Sequence, residues 1–250
     1  MNKFSIIILC KNEAKNLKEL LPTLNFADEI LLINDGSTDN TKQIAKEYQA
    51  KILDYSVNSD FAAARQYALT HIRCGWAMFV DADERLSPEL IKWLKKRNFY
   101  ENVGGYSFKR VDWFWGRSLN HGETGNCYLT RLVNKNHGRF VRPVHEIWVS
   151  NKQIVKVNQN YPLYHYPHQS INEFLKHVNF YSTINAKHWY QQKRSVTIWE
   201  IILVPWSKFG FTYFIKLGFL DGASGFVYSF MMSFHSFLSR AKLYQLNQND

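Results

Sequence analysis

Two hydrophobic patterns alternate along the first hundred residues. Continuous apolar runs at residues 4–10, 30–34, 51–54 and 77–80 are each followed by a segment of helical period, at 14–21, 38–48, 61–71 and 88–96. A strand that is apolar throughout is buried on both faces, so the pattern predicts a βαβαβαβα order with a parallel sheet and right-handed crossovers. Ligands of such sheets bind beyond the carboxyl ends of the strands, and polar residues at those ends become the candidates for chemistry.

Beyond residue 98 the pattern shortens. Aromatic-rich segments at 106–113, 128–133 and 154–157, broken by Gly and Pro, read as mixed or antiparallel strands with long loops. Helical period returns at residue 170, first in a polar amphipathic helix to about residue 192, then in an apolar, aromatic tract from 196 to 246. No internal repeat or low-complexity linker interrupts this order. A chain of 250 residues suffices for one domain with a substantial core and a helical extension.

Charge changes this picture in one respect. Residues 1–100 hold 14 Lys and Arg against 13 Asp and Glu, whereas residues 101–250 hold 17 against 8, so the basic excess belongs to the second half. Its company is aromatic and apolar, with no zinc-finger spacing and no basic recognition helix, which favours anionic lipid over nucleic acid. Cys10, Cys74 and Cys127 are odd in number and widely spaced, as suits a reducing compartment without a disulfide framework. The run at 4–10 is too short for a signal-peptide core and reads as a buried strand. Lys208, Lys216 and Asp221 divide the C-terminal apolar tract, so no spanning helix is expected.

Polar groups gather at three strand ends. The first strand runs into Lys11-Asn12-Glu13 and the second into Asn34-Asp35-Gly36-Ser37-Thr38-Asp39, where Gly36 permits a tight turn and Ser37 or Thr38 is placed to cap the next helix. The fourth ends in Asp81-Ala82-Asp83-Glu84. Three carboxylates at one sheet mouth repel one another, and a hard divalent cation with substrate phosphates relieves this; a solvated turn capped by Ser87 before Pro88 is the plain alternative.

Lys11-Asn12-Glu13, the 34–39 turn, Phe61-Ala62-Ala63-Ala64-Arg65 and Asp81-Ala82-Asp83-Glu84 stand in the order and spacing of the family 2 glycosyltransferases, which the chain resembles. Val144-His145-Glu146 and Gly218-Phe219-Leu220-Asp221-Gly222 extend the likeness over nearly the whole length, toward the lipopolysaccharide-core glucosyltransferase branch. The resemblance implies an α/β GT-A fold, a Rossmann-like nucleotide-binding sheet with a C-terminal helical extension. Domains are expected at 1–170, with a nucleotide-sugar half to residue 100 and an acceptor half after it, and at 171–250. It also implies a UDP-sugar donor and a divalent metal, Mg²⁺ or Mn²⁺. Asn12 and Glu13 would lie at the nucleotide, Asp35 at uracil, Arg65 near the nucleotide, Asp81 near ribose or sugar, and Asp83 at the metal. Glu84 and Arg85 would fall in the first turn of the following helix.

Departure of a diphosphate calls for stabilisation of negative charge, and attack by an acceptor hydroxyl calls for a base on the opposite face, giving inversion. Glu146 is the chosen base; an ion pair with Arg131 or Arg142 is its structural alternative, and Glu123 is the other candidate. His145 is placed to position the base or touch phosphates. His165 stands where GT-A enzymes place a late metal-binding histidine, with simple packing as the alternative. Arg131 is a candidate for phosphate or an anionic acceptor, with solvation the commoner fate.

The resulting expectation is metal-assisted, inverting transfer of a hexose, glucose favoured, from UDP-sugar to a lipopolysaccharide-core or other lipid-linked saccharide. The enzyme would sit on the inner face of the cytoplasmic membrane, with its C-terminal helices on lipid or else merely packed or building a homodimer. A peptide or soluble saccharide acceptor is one rival, and a non-catalytic nucleotide-sugar-binding or scaffold protein another. A nucleotidyltransferase is disfavoured because its Gly-rich phosphate loop is missing after the first strand.

Overall fold

A computed structural model describes residues 2–143, 145–168 and 170–248. The expected alternation forms as β1 (Phe4–Cys10), α1 (Ala14–Leu20), β2 (Glu29–Asn34), α2 (Thr41–Glu47), β3 (Lys51–Asp54), α3 (Phe61–Thr70) and β4 (Trp76–Phe79). There follow β5 (Glu84–Leu86), α4 (Pro88–Lys96), β6 (Val103–Phe114), β7 (Arg117–Leu119), β8 (Cys127–Asn134), β9 (Gly138–Val141), β10 (Ile147–Ser150), β11 (Gln153–Lys156) and β12 (Leu163–His165). The chain ends in α5 (Ile171–Gln191), α6 (Ile198–Gly210) and α7 (Gly222–Gln248).

The molecule has two compact units. One comprises the chain to Arg110 with Cys127–His165, the other Val111–Asn126 with the chain from Tyr166 onward. In the first unit the sheet order is β3-β2-β1-β4-β8-β6-β12-β5, parallel from β3 to β4 and antiparallel at β4–β8, β8–β6 and β12–β5. Alternation along β1 sorts the core. Phe4, Ile6 and Ile8 face α1, α2 and α4 through Leu17, Leu20, Ile44, Leu90 and Leu94, while Ile7 faces α3 and the β9–β10 hairpin through Ala68, Phe140 and Trp148. Both faces of the sheet are therefore covered, which is why β1 is apolar but for Ser5, whose buried hydroxyl donates to Glu29.

Local chemistry starts the helices. Asp60 accepts from the amide of Ala63 to open α3, and Ser87 accepts from Leu90 with Pro88 behind it to open α4. Two expectations fail. The helix predicted from residue 38 starts at Thr41, with neither Ser37 nor Thr38 as cap, because both are engaged elsewhere. Glu84 and Arg85 are not in a helical turn but in β5, drawn into strand geometry by pairing with β12.

In the second unit, Phe114, Leu119, Phe174, Val178 and Met231 form one core, and Ala186, Val196, Ile201 and Leu243 another. Thr197 and Glu200 close a capping box on α6, and α7 presents a seam of buried serines at 224, 229, 233, 236 and 239. The ammonium of Lys242 on α7 donates to Asn179, Ser182 and Thr183 of α5, tying the two helices.

Candidate active site

Strand register brings the motifs to one edge of the first unit. Cys10 lies beside Asn34, Asn34 beside Asp54, and Ile7 beside Phe79, so the loops after β1, β2, β3 and β4 all leave at the carboxyl end. Asn12 takes a left-handed φ of 57°, and its Oδ1 accepts from the Thr38 amide at 2.7 Å while its own amide donates to Ser37 Oγ at 3.0 Å. Thr41 Oγ1 accepts from the Glu13 amide and Asp39 from that of Ala14. The first two turns are thus laced together. Asp35 is held between the Val57 amide, 3.0 Å from Oδ1, and Lys11 Nζ, 3.3 Å from Oδ2.

Behind these loops lies a cluster of two arginines and three acids. Arg65, buried on α3, donates from Nε to Glu146 at 2.6 Å and from its terminal nitrogen to Asp81 at 3.0 Å, with its guanidinium over the rings of Phe79 and Phe140. Arg131 bridges Asp81 and the fully buried Glu84. The antiparallel pairing of β8 with β4 aims Arg131 at the loop following β4. Burial works to raise the Asp81 carboxyl, but the charges of Arg131 and Arg65 prevail and hold it well below the ordinary range. For Glu84, burial prevails and pushes the carboxyl up. The ionic partner of Glu146 is Arg65, not Arg131 or Arg142, because the amide of Phe61 at the start of α3 bonds the Pro143 carbonyl and seats the β9–β10 connection on that helix. Val144 lies outside the described residues.

Asp83 and His165 form a second pair, with Nε2 3.3 Å from the carboxylate. Residue 165 reaches this edge because β12 pairs with β5, setting His165 opposite Glu84. Glu13 is raised by burial first, and also by the charges of Asp83 and Asp39, so negative charge is crowded here. Among the described residues no group of three or more His, Cys, Asp and Glu gathers as a metal cage. One carboxylate and one imidazole nonetheless fit a divalent ion that completes its shell with phosphate oxygens and water.

His145 adjoins Glu146 with a left-handed φ of 55°. Glu123 belongs to the second unit, where its Oε1 meets Lys208 Nζ at 3.1 Å. The central place of Arg131 and Glu84 had little signal in the sequence. Its one trace was an arginine inside an otherwise apolar strand segment, Leu129-Thr130-Arg131-Leu132-Val133.

A sheet that gathers acidic loops at its carboxyl edge, continued by antiparallel strands, defines the GT-A class of sugar-transferring enzymes. The chain belongs to glycosyl transferase family 2, whose description matches residues 5–156, and it is a glycosyltransferase. It is 30% identical over 257 residues to an uncharacterized glycosyltransferase of Rickettsia bellii, covering 98% of this chain and 87% of that one. It is 26% identical over 249 residues to the lipopolysaccharide core biosynthesis glycosyltransferase LpsC of Rhizobium meliloti, covering 96% and 92%. Among solved structures, S. aureus TarS residues 1–349 in complex with UDP matches with a TM-score of 0.51 at 16% identity, over 99% of this chain and 92% of that chain, a likeness of fold.

Proposed function

We propose that the enzyme transfers a hexose, glucose favoured, from a UDP-sugar to a lipopolysaccharide-core or other lipid-linked saccharide with inversion, assisted by a divalent metal. The observation that carries this reading is the arrangement around Arg65, which ties Glu146 to Asp81 at the same sheet edge that presents Asp35 and Asp83. TarS, which shares the fold, binds UDP and UDP-GlcNAc, and LpsC acts in lipopolysaccharide core biosynthesis; both support the assignment of donor and acceptor class.

In this reading Asp35, fixed by Lys11 and the Val57 amide, accepts from the uracil N–H, and Asn12 and Glu13 border the nucleotide. Asp81 takes the ribose or sugar, held ionised by its two arginines. Asp83 and His165 would hold Mg²⁺ or Mn²⁺, which when bound neutralises charge developing on the diphosphate. Glu146 removes the proton of the acceptor hydroxyl as the oxygen–anomeric carbon bond forms and the bond to diphosphate breaks, its electron pair leaving with the phosphate. Arg65 aims the base. Single displacement of this kind inverts the anomeric centre.

The test is turnover of a panel of nucleotide-sugars with Mn²⁺, Mg²⁺ or EDTA. Asp83→Ala should abolish metal-dependent hydrolysis of a UDP-hexose, and Glu146→Gln should retain UDP binding while losing transfer by on the order of 10²-fold or more. Turnover that ignores EDTA and Asp83→Ala would remove the metal from the reading.

A further inference from the structure

Two features of the second unit remain unused by the chemistry above. One is a groove of about 480 Å³ between α6 and α7, lined by apolar side chains that include Ile202, Trp206 and Phe209 on one helix and Phe226, Phe230 and Phe237 on the other. Its volume lies within the range of small-molecule pockets, roughly 300–1,000 Å³. The polar atom of its lining residue Ser233 is spent on the Pro205 carbonyl at 2.6 Å, and no charged residue lines it, so an occupant must be apolar along its length. The other feature is the face that continues outward from the groove. Trp199 is 66% exposed, Leu203 54%, Trp206 72% and Ile215 71%, which no soluble surface requires.

Charge indicates what covers this face. Between residues 193 and 248 the acids are Glu200 and Asp221, while the bases are Lys193, Arg194, Lys208, Lys216, Arg240 and Lys242. Lys208 is paired with Glu123 and Lys242 is turned into α5, which leaves Lys193, Lys216 and Arg240 beside the Arg194–Glu200 pair. Glu200 is engaged by Thr197 and faces Arg194, and Asp221 is buried under His121, so neither acid offers its charge freely to an approaching anion. An apolar strip with exposed tryptophans and a cationic margin is complementary to the surface of an anionic bilayer. Among the described residues no helix is long and apolar enough to cross a membrane. We infer that α6 and the first half of α7 lie in the interface of an anionic membrane, with one phospholipid acyl chain seated in the α6–α7 groove. This deepens the reading of a lipid-held acceptor and rests on it.

The test uses the full chain without donor or acceptor, sedimented with vesicles of phosphatidylcholine with or without phosphatidylglycerol. Anionic vesicles bind, and brominated acyl chains quench tryptophan fluorescence by a fraction that Trp206→Phe reduces. Trp206→Gln and Lys216→Glu each weaken binding on the order of tenfold. Both side chains lie at the surface of the fold, and circular dichroism confirms that the variants stay folded. Absence of vesicle binding, or quenching undiminished in Trp206→Phe, overturns the inference. So does light scattering that shows a dimer dispersed by Trp206→Gln, which assigns the groove to a second copy. Transfer to a lipid-linked saccharide without vesicle binding removes the groove alone, whereas vesicle binding with transfer only to a soluble saccharide removes the acceptor reading.

Discussion

Arg65 and Arg131 divide three acids between them. Asp81 touches both, Glu146 depends on Arg65, and Glu84, with no exposure at all, depends on Arg131. Breaking a buried pair by removing one partner leaves an uncompensated charge. Arg131→Met is therefore expected to lower unfolding free energy by roughly 3–5 kcal/mol, read from urea denaturation. A loss below about 1 kcal/mol would mean that Glu84 is protonated and needs no cation. Cys10 gives a second residue-scale prediction. Burial, with the charges of Glu13, Asp39 and Asp35, pushes its thiol from 9.0 up to about 12. The thiolate is the reactive form, so iodoacetamide near pH 8.5 should label Cys10 only after unfolding, as mass spectrometry would show.

At the scale of elements, short strands do what the long ones cannot. β12 and β5 have three residues each, yet their pairing brings His165 to Asp83. The β9–β10 hairpin holds Glu146 over α3, and Gly138 permits its close approach: a Cβ there would sit 2.3 Å from the Val149 carbonyl oxygen and 2.7 Å from the Trp148 ring. Gly138→Ala should force the hairpin outward, at a cost of roughly 1–3 kcal/mol. Sugar transfer should fall while UDP binding, which the proposed function assigns to the ends of β1, β2 and β4, holds. Equal losses of both in isothermal titration and turnover assays would show that the hairpin supports the whole edge rather than the base. The parallel core and its helices were legible in the sequence because continuous apolar runs and 3.6-residue periods are local signals. A three-residue strand carries no such signal, and Ser37 and Thr38 read as caps because their alternative partner, Asn12, is 25 and 26 residues away.

For the molecule as a whole, pH acts through several carboxylates at once. Asp81 is lowered by its arginines against burial, Asp28 by Arg97 and the Phe4 amide against burial, Asp39 by Thr41, Asp54 by Asn34 and Lys42, and Glu200 by the Thr197 amide. A depressed carboxyl contributes stability that is present above its ordinary value, 3.8 for Asp and 4.5 for Glu, and lost as pH falls through the folded value. Glu13 and Glu84, raised by burial, act in the opposite sense. Protonation of Asp81 breaks its pairs with both arginines, and a formal charge of +10 grows further on acidification, so the thermal midpoint should fall steadily below about pH 4.5. A midpoint that rises there would assign the larger contribution to Glu13 and Glu84.

The order of strands and helices, the parallel sheet, the acidic strand ends and the apolar C-terminal tract follow from patterns a few residues long, because backbone periodicity and burial act on near neighbours. Partnership does not. That Arg65 joins Glu146, 81 residues away, to Asp81, that Arg131 turns inward to Glu84, and that α6 and α7 enclose a groove were decided by strand register and helix packing. Buried charges must find opposite charges wherever the fold brings them, and no periodicity along the chain records where that is.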